Sequence, residues 1–333
     1  MPRPDNFFRP IPGNVLPRFA GMVTFMRLPH VPVEEAAGVD IGLFGVPWDG
    51  GTTLRPGARL GPRQIRDMSV LMRNVNPVSK VAPYELANCA DLGDAPVNPI
   101  DFPATLQTIE KFVEQVHGNG IIPCAAGGDH LISLPILRAI ARNAPLGMVH
   151  FDAHSDTADL HFGTSPVGHG TMFRRAIEEG LLDPHRVVQI GIRGGLYAQD
   201  THDWPLRQGI RMIDIEEFCR LGSASVIAEA LKIVGSGPTY LSFDVDSLDP
   251  AYAPGTGTPE IGGLTTLQAL QVLRGLRSVD WVGADVVEVS PPFDPVGNTA
   301  LVAATIQWEA LCLLAEARDR RERAARDLAT AHN

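Results

Sequence analysis

Six short, almost uninterrupted apolar runs recur along the chain: DIGLFGVPW (40–48), GIIPCAAGG (120–128), LGMVHFDAH (146–154), RVVQIGIRG (186–194), PTYLSFDVD (238–246) and WVGADVVEVS (281–290). Runs of this length without polar alternation are the pattern of strands buried on both faces. Between them, ATLQTIEKFVEQVHGNG (104–120) sets Leu106, Ile109, Val113 and Val116 at helical spacing, and glycine follows as a stop. TTLQALQVLRGL (265–276) repeats the device with Leu267, Leu270, Leu273 and Leu276, which the spacing places on one face. Strand and helix alternate, so the expected fold is α/β, with βαβ units, a mainly parallel sheet and helices on both sides of it.

No internal repeat or flexible linker divides the chain. One domain is expected over residues 36–320. Before it lies a Pro-rich, irregular arm (1–35) that rests on the surface or on a neighbouring subunit, and after it a charged tail (321–333). The apolar run ALVAATIQWEALCLLA (300–315) is short for a membrane span and carries Gln307 and Glu309, so a buried helix is expected. The amino-terminal stretch MPRPDNFFRPIPGNVLPRF has Pro and Arg throughout and lacks the apolar core of a signal peptide. Cys89, Cys124, Cys219 and Cys312 are far apart and form no CxxC pair, which excludes a zinc ribbon and reads as reduced, buried thiols. A cytoplasmic protein is expected. The net charge of −10, with no Lys/Arg run, argues against a nucleic-acid surface.

The chemistry gathers where the strands end. In HFDAHSDT (150–157), Asp152, His154 and Asp156 alternate, and in an extended segment alternate side chains point to one side. His130 follows GGD at the end of another strand, Asp244 and Asp246 close a third, and Glu288 closes a fourth. Singly, each has an ordinary structural reading: a helix start, a turn, the end of a strand. Together they lie at the carboxyl edge of the sheet, where open α/β folds bind ligands. Calcium loops of the EF-hand type are excluded, because counting from Asp152 or Asp244 the sixth residue is not glycine and the twelfth is glycine instead of glutamate. Four carboxylates and two histidines exceed the needs of one small ion and suit two divalent ions sharing bridging carboxylates. An oxygen-rich shell with imidazole and no thiolate favours manganese, nickel or cobalt over structural zinc.

GGDH (127–130), DAHSDT (152–157), HGTMF (169–173), SFDVDSLDPAYAPGTGTPEIGGLT (242–265) and EVSPPFD (288–294) together resemble the ureohydrolase family of arginases, agmatinases and guanidino-acid hydrolases. The resemblance extends from GVPWDGGTTLRPGARLGPRQIR to LVAATIQWEALCLLAE, and it is nearest to guanidinopropionase- and guanidinobutyrase-type enzymes. It implies a three-layer α/β/α sandwich, two Mn2+ ions (with Ni2+ as the alternative) and a trimeric or hexameric homo-oligomer. By the same resemblance, His130, Asp152, Asp156 and Asp244 hold one ion and Asp152, His154, Asp244 and Asp246 the other. Asp152 and Asp244 then bridge. Asp156 orients the attacking water, Glu288 holds the substrate guanidinium, and His169 carries protons to the leaving amine. The implied reaction cleaves a guanidino C–N bond to give urea and an amine.

The loop TADLHFGTSPVG (157–168) should border the pocket, and here the chain departs from the pattern. Guanidinopropionase-like relatives tend to carry an aromatic residue or Met where His161 stands, and Asn where Ala158 stands. His161 is therefore expected to touch the substrate. No Arg or Lys in this loop offers a carboxylate partner, and loops that grip an α-amino acid are not evident. A second reading keeps the chemistry and changes the substrate to agmatine, guanidine or a biguanide such as metformin, with nickel and a paralogous partner subunit. A catalytically silent subunit is a third, and the intact ligand set argues against it.

Overall fold

The computed structural model describes residue 4 and residues 6–331; the first three residues of the arm, its fifth, and the last two of the tail lie outside the described residues. Eight strands form one sheet: β1 (Ile41–Val46), β2 (Cys89–Asp94), β3 (Ile122–Gly127), β4 (Leu146–Phe151), β5 (Leu182–Ile192), β6 (Arg211–Asp214), β7 (Thr239–Asp244) and β8 (Trp281–Val287). They run parallel in the order β2-β1-β3-β8-β7-β4-β5-β6. The six expected strands are all present. The two that the apolar pattern missed, β2 and β6, are the two edges of the sheet. Edge strands have one neighbour and need less apolar sequence: CADLGD ends on exposed Asp94, and RMID has four residues.

The helices are α1 (Gly61–Met68), α2 (Pro83–Leu86), α3 (Phe102–Gly118), α4 (Ser133–Ile140), α5 (Met172–Glu178), α6 (Asp203–Gln208), α7 (Ile215–Val234), α8 (Thr266–Gly275) and α9 (Asn298–Ala331). Alternate strand residues separate two apolar cores. Phe44, Ala125, Met148, Tyr240 and Val287 pack under α3, α4 and α5, whereas Leu43, Cys124, Phe151, Phe243 and Val286 pack under α7, α8 and α9. The result is an α/β/α sandwich. Helix α3 buries Leu106, Ile109, Val113 and Val116 as its spacing predicts.

In α8 the expected leucine face does not hold, since Leu267 is 60% exposed and Leu270 half-buried, while Ala269, Val272, Leu273 and Leu276 are buried. A strict three-residue spacing drifts around a helix of 3.6 residues per turn, so Leu267 and Leu276 end on opposite sides. Helix α9 is a single helix to Ala331, so the expected tail continues it through its described part. By length and composition α9 could cross a membrane, yet 78% of its apolar stretch is buried in the protein. Within it Gln307 and Glu309 are buried, and Glu309 is paired with Arg274 of α8. Cys89, Cys124 and Cys312 are buried as expected; Cys219, on the outward side of α7, is exposed.

This order brings the ends of β3, β8, β7 and β4 side by side at the centre of the sheet. Val286 pairs with Ala126 and Phe243, and Phe243 pairs with Phe151.

Candidate active site

The turn after β3 sets the floor. Gly128 donates its N–H to the Val46 carbonyl (3.0 Å), Asp129 donates to the Trp48 carbonyl (2.8 Å), and the Gly128 carbonyl accepts from the Glu288 N–H (2.9 Å). A Cβ on Gly128 would collide with the Trp48 carbonyl oxygen, so backbone passes where no side chain fits. The chain then enters a helical turn at His130, capped by the Asp129 carboxylate, which accepts the Leu131 N–H at 3.1 Å.

His130 is buried, with Nδ1 lying 3.1 Å from Asp152 Oδ2, 3.0 Å from Asp156 Oδ2 and 3.2 Å from Asp244 Oδ2. Its Nε2 lies 2.8 Å from Ser242 Oγ, and that hydroxyl donates its own proton to Asp285 Oδ1 at 2.7 Å. Ser242 must therefore accept from Nε2–H, so in the neutral ring Nδ1 turns a lone pair to three carboxylate oxygens. Burial would lower the His130 pKa, but Asp152, Asp156 and Asp244 push it well above the usual range, which marks the pull on a cation at Nδ1. Nδ1 has no hydrogen-bond partner despite its burial. Lone pairs aimed at one another in a buried site are repulsive, and a cation among them turns repulsion into ligation.

A second group adjoins the first. His154 Nδ1 is 3.2 Å from Asp246 Oδ2 and 3.4 Å from Asp152 Oδ1. Potential ligand atoms cluster as His130, His150, Asp152 and Asp156 and as Asp152, His154 and Asp246, with Asp152 common to both. Burial, then repulsion from Asp246 and Asp152, pushes the Asp244 carboxyl well above the usual range; burial, then Asp152, raises that of Asp246. Acids so crowded resist joint ionisation until positive charge is supplied. The residues present fit two divalent cations sharing a carboxylate.

Backbone N–H donors orient the acids. Asp152 Oδ1 accepts the His154 N–H (2.6 Å), Asp244 Oδ1 the Asp246 N–H (2.8 Å), and Asp246 Oδ1 the Ala153 N–H (3.1 Å). Asp156 and Glu288 both sit at positive φ (52° and 66°), conformations that L-residues rarely adopt and that cluster at functional sites.

Glu288 completes a second network. Its Oε1 accepts the His130 N–H (2.8 Å) and lies 2.9 Å from His169 Nδ1, while its buried Oε2 has no hydrogen-bond partner. Nε2 of His169 receives the Thr53 N–H at 3.1 Å and lies 2.7 Å from Thr53 Oγ1. The loop that presents Thr53 is fixed by Asp129, whose Oδ2 accepts the Gly51 N–H (2.6 Å). Burial alone would lower the His169 pKa, but the Glu288 charge outweighs it and pushes the group up to about 9.

Above this floor lies a cavity of about 380 Å³ lined by Asp156, His169, His161, Arg55, Tyr197 and Glu260, among others. His161 reaches it as expected: its loop closes on itself between His161 and Ser165, and Nε2 accepts the Gly170 N–H at 3.1 Å. Its ring centroid is 6.0 Å from that of His169. Burial, then the charge of His169, lowers its pKa.

Every expected site residue thus lies at this one edge. Four participants were missed. His150 continues the alternation backwards from Asp152, touching its Oδ2 at 2.8 Å, so parity alone could have found it. Ser242 and Asp285 act at one remove inside apolar runs, and Thr53 arrives from a loop more than a hundred residues away, which no spacing rule connects.

A model of the arginase family matches residues 39–313. The chain is 62% identical over 308 residues to the guanidinopropionase of Pseudomonas aeruginosa, covering 92% of this chain and 96% of that protein. It is 49% identical to the guanidinobutyrase of the same organism, covering 93% and 97%. Among solved structures, proclavaminate amidino hydrolase from Streptomyces clavuligerus superposes with a TM-score of 0.86 at 41% identity, covering 90% of this chain and 99% of that one.

Proposed function

This chain belongs to the arginase family, and from that membership and the geometry above we propose a ureohydrolase that cleaves a guanidino acid of the 3-guanidinopropionate or 4-guanidinobutyrate type to urea and an amino acid. The observation that carries the reading is the pairing of two unsatisfied atoms at one floor: His130 Nδ1 among three carboxylates, and Glu288 Oε2 without a donor. The first asks for cations. The second asks for a planar N–H donor, which a guanidinium supplies.

His130, Asp152, Asp156 and Asp244 would hold one ion, and Asp152, His154, Asp244 and Asp246 the other, with manganese the expected metal and nickel the alternative. When bound, such a pair lowers the pKa of a shared water and neutralises the crowded acids. The protein's own groups do the rest. Glu288 Oε2 accepts the substrate N–H groups and holds the guanidinium plane over the acids. Asp156 accepts a hydrogen bond from the attacking water and aims it at the guanidinium carbon. His169, whose pKa Glu288 raises, carries a proton to the departing nitrogen, a step that needs the Thr53 N–H released from Nε2.

The test is a panel of 3-guanidinopropionate, 4-guanidinobutyrate, agmatine, guanidine and a biguanide, with urea and amine both quantified and Mn2+ and Ni2+ compared. Equal urea and amine from a guanidino acid supports the reading. Turnover of agmatine, guanidine or the biguanide alone moves the function to the second substrate class.

His161 is assigned to the substrate tail. His161→Tyr or His161→Met should leave metal content unchanged and shift relative kcat/KM among these substrates by about tenfold to a hundredfold. An unchanged ranking, or lost metal, removes the assignment.

We further place the enzyme in the cytoplasm as a trimer-based homo-oligomer, with neither nucleic acid nor membrane as partner and a paralogous subunit as the alternative partner. The arm supports assembly, exposing Val15, Phe19 and Met22 at 74%, 94% and 82%. A solution mass near the 35.8 kDa of one chain would contradict it.

A further inference from the structure

A guanidino acid carries a carboxylate at the end opposite its guanidinium, and the roles above give that end only His161, which carries no permanent charge. The loop 157–168 supplies no cation. Among the residues lining the cavity, a single side chain is permanently cationic: Arg55, which reaches the wall from the segment between β1 and α1. Nearby arginines are committed: Arg59 in that segment pairs with Asp49, and Arg66 in α1 pairs with Asp91 and Asp94. Arg55 forms no ion pair among the described residues, and its guanidinium rests over the ring of Phe293, 5.1 Å from the centroid. Stacking holds the plane while leaving its edge N–H groups for a ligand.

Position agrees with charge. An added Cβ at Gly257 would lie 3.3 Å from Glu288 Oε2 and 3.5 Å from the Arg55 carbonyl oxygen, so the guanidinium anchor and the Arg55 backbone flank the same glycine. A short acid bound at Glu288 would extend past Gly257 toward the segment that carries Arg55. The cavity is also lined by Asp156, Asp244 and Glu260 and by His154, His161, His169 and His202, so Arg55 is the one permanent cation in its wall.

We propose that Arg55 is the carboxylate anchor, selecting guanidino compounds with an anionic tail over those with neutral or cationic tails. The inference rests on the guanidino-acid reading and adds to it the residue that enforces the choice. A bidentate guanidinium–carboxylate contact is geometry-dependent, so lysine is a partial substitute and methionine none.

The experiment measures kcat/KM for 3-guanidinopropionate and the inhibition constant of n-propylguanidine, its tail-less analogue, in the metal-loaded parent, Arg55→Met and Arg55→Lys. Expected is a loss of about tenfold to a hundredfold in kcat/KM for the acid in Arg55→Met, carried by KM. Arg55→Lys should recover part of it, and the n-propylguanidine constant should stay within about threefold in both. Equal losses for acid and analogue, or no loss for either, overturn the role of Arg55 and leave the guanidino-acid reading standing. A parent that turns over no guanidino acid overturns both.

Discussion

Asp152→Ala or Asp244→Ala is expected to reduce urea release by about a thousandfold or more and to lower bound metal in the same preparation. Each carboxylate is asked to serve both ions. Asp152 lies within 3.1 Å of His130 Nδ1 through one oxygen and 3.4 Å of His154 Nδ1 through the other, so its loss opens both groups at once. Asp244 faces His130 at 3.2 Å and orders the Asp246 N–H at 2.8 Å. Removing charge that positions a nucleophile costs on the order of a hundredfold to a thousandfold, and loss of an ion adds to that. His154→Ala should be milder, because it touches one group only. Metal content and urea release measured on the three variants decide the order. Full metal occupancy in Asp152→Ala would remove Asp152 from the bridging position.

Glu288→Gln should lower kcat/KM by about a hundredfold to a thousandfold while leaving metal content intact. Glutamine keeps an acceptor for the His130 N–H and for His169 Nδ1, so the floor remains in place. What is lost is charge. Glu288 raises the His169 pKa to about 9, and His169 acts here as an acid, so the parent's kcat/KM should fall as pH rises through about 9. Without the carboxylate that fall should begin at lower pH, since burial, the opposing influence, remains. A pH profile of the two enzymes reads this directly. An alkaline limb that stays where it was would separate His169 from Glu288.

The fold was legible where the chain is doubly buried. Strands β1, β3, β4, β5, β7 and β8 carry continuous apolar runs because both faces meet helices, whereas β2 and β6 sit at the edges and lack such runs. The α8 face was misread because leucines three apart look periodic in sequence but wind around the helix, which exposes Leu267. At the site, direct contacts followed from position: Asp152, His154 and Asp156 by alternation, His130, Asp244 and Glu288 by standing where strands end. The partners behind them did not. Asp285 lies inside β8 as one polar residue among apolar ones, yet it accepts hydrogen bonds from Ser133, Tyr240 and Ser242 and so sets the tautomer of His130. Arg55 and Thr53 come from a loop whose glycines predict a turn without saying over what it turns.

The central claim is a paired-metal floor built from one set of shared acids. It is tested most directly by stripping the protein with chelator and titrating Mn2+ or Ni2+ back, with bound ions and urea release from 3-guanidinopropionate followed together. The two ligand groups that share Asp152 predict that activity returns as occupancy approaches two ions per chain. Full activity at one ion per chain, or in protein with no transition metal, would contradict it.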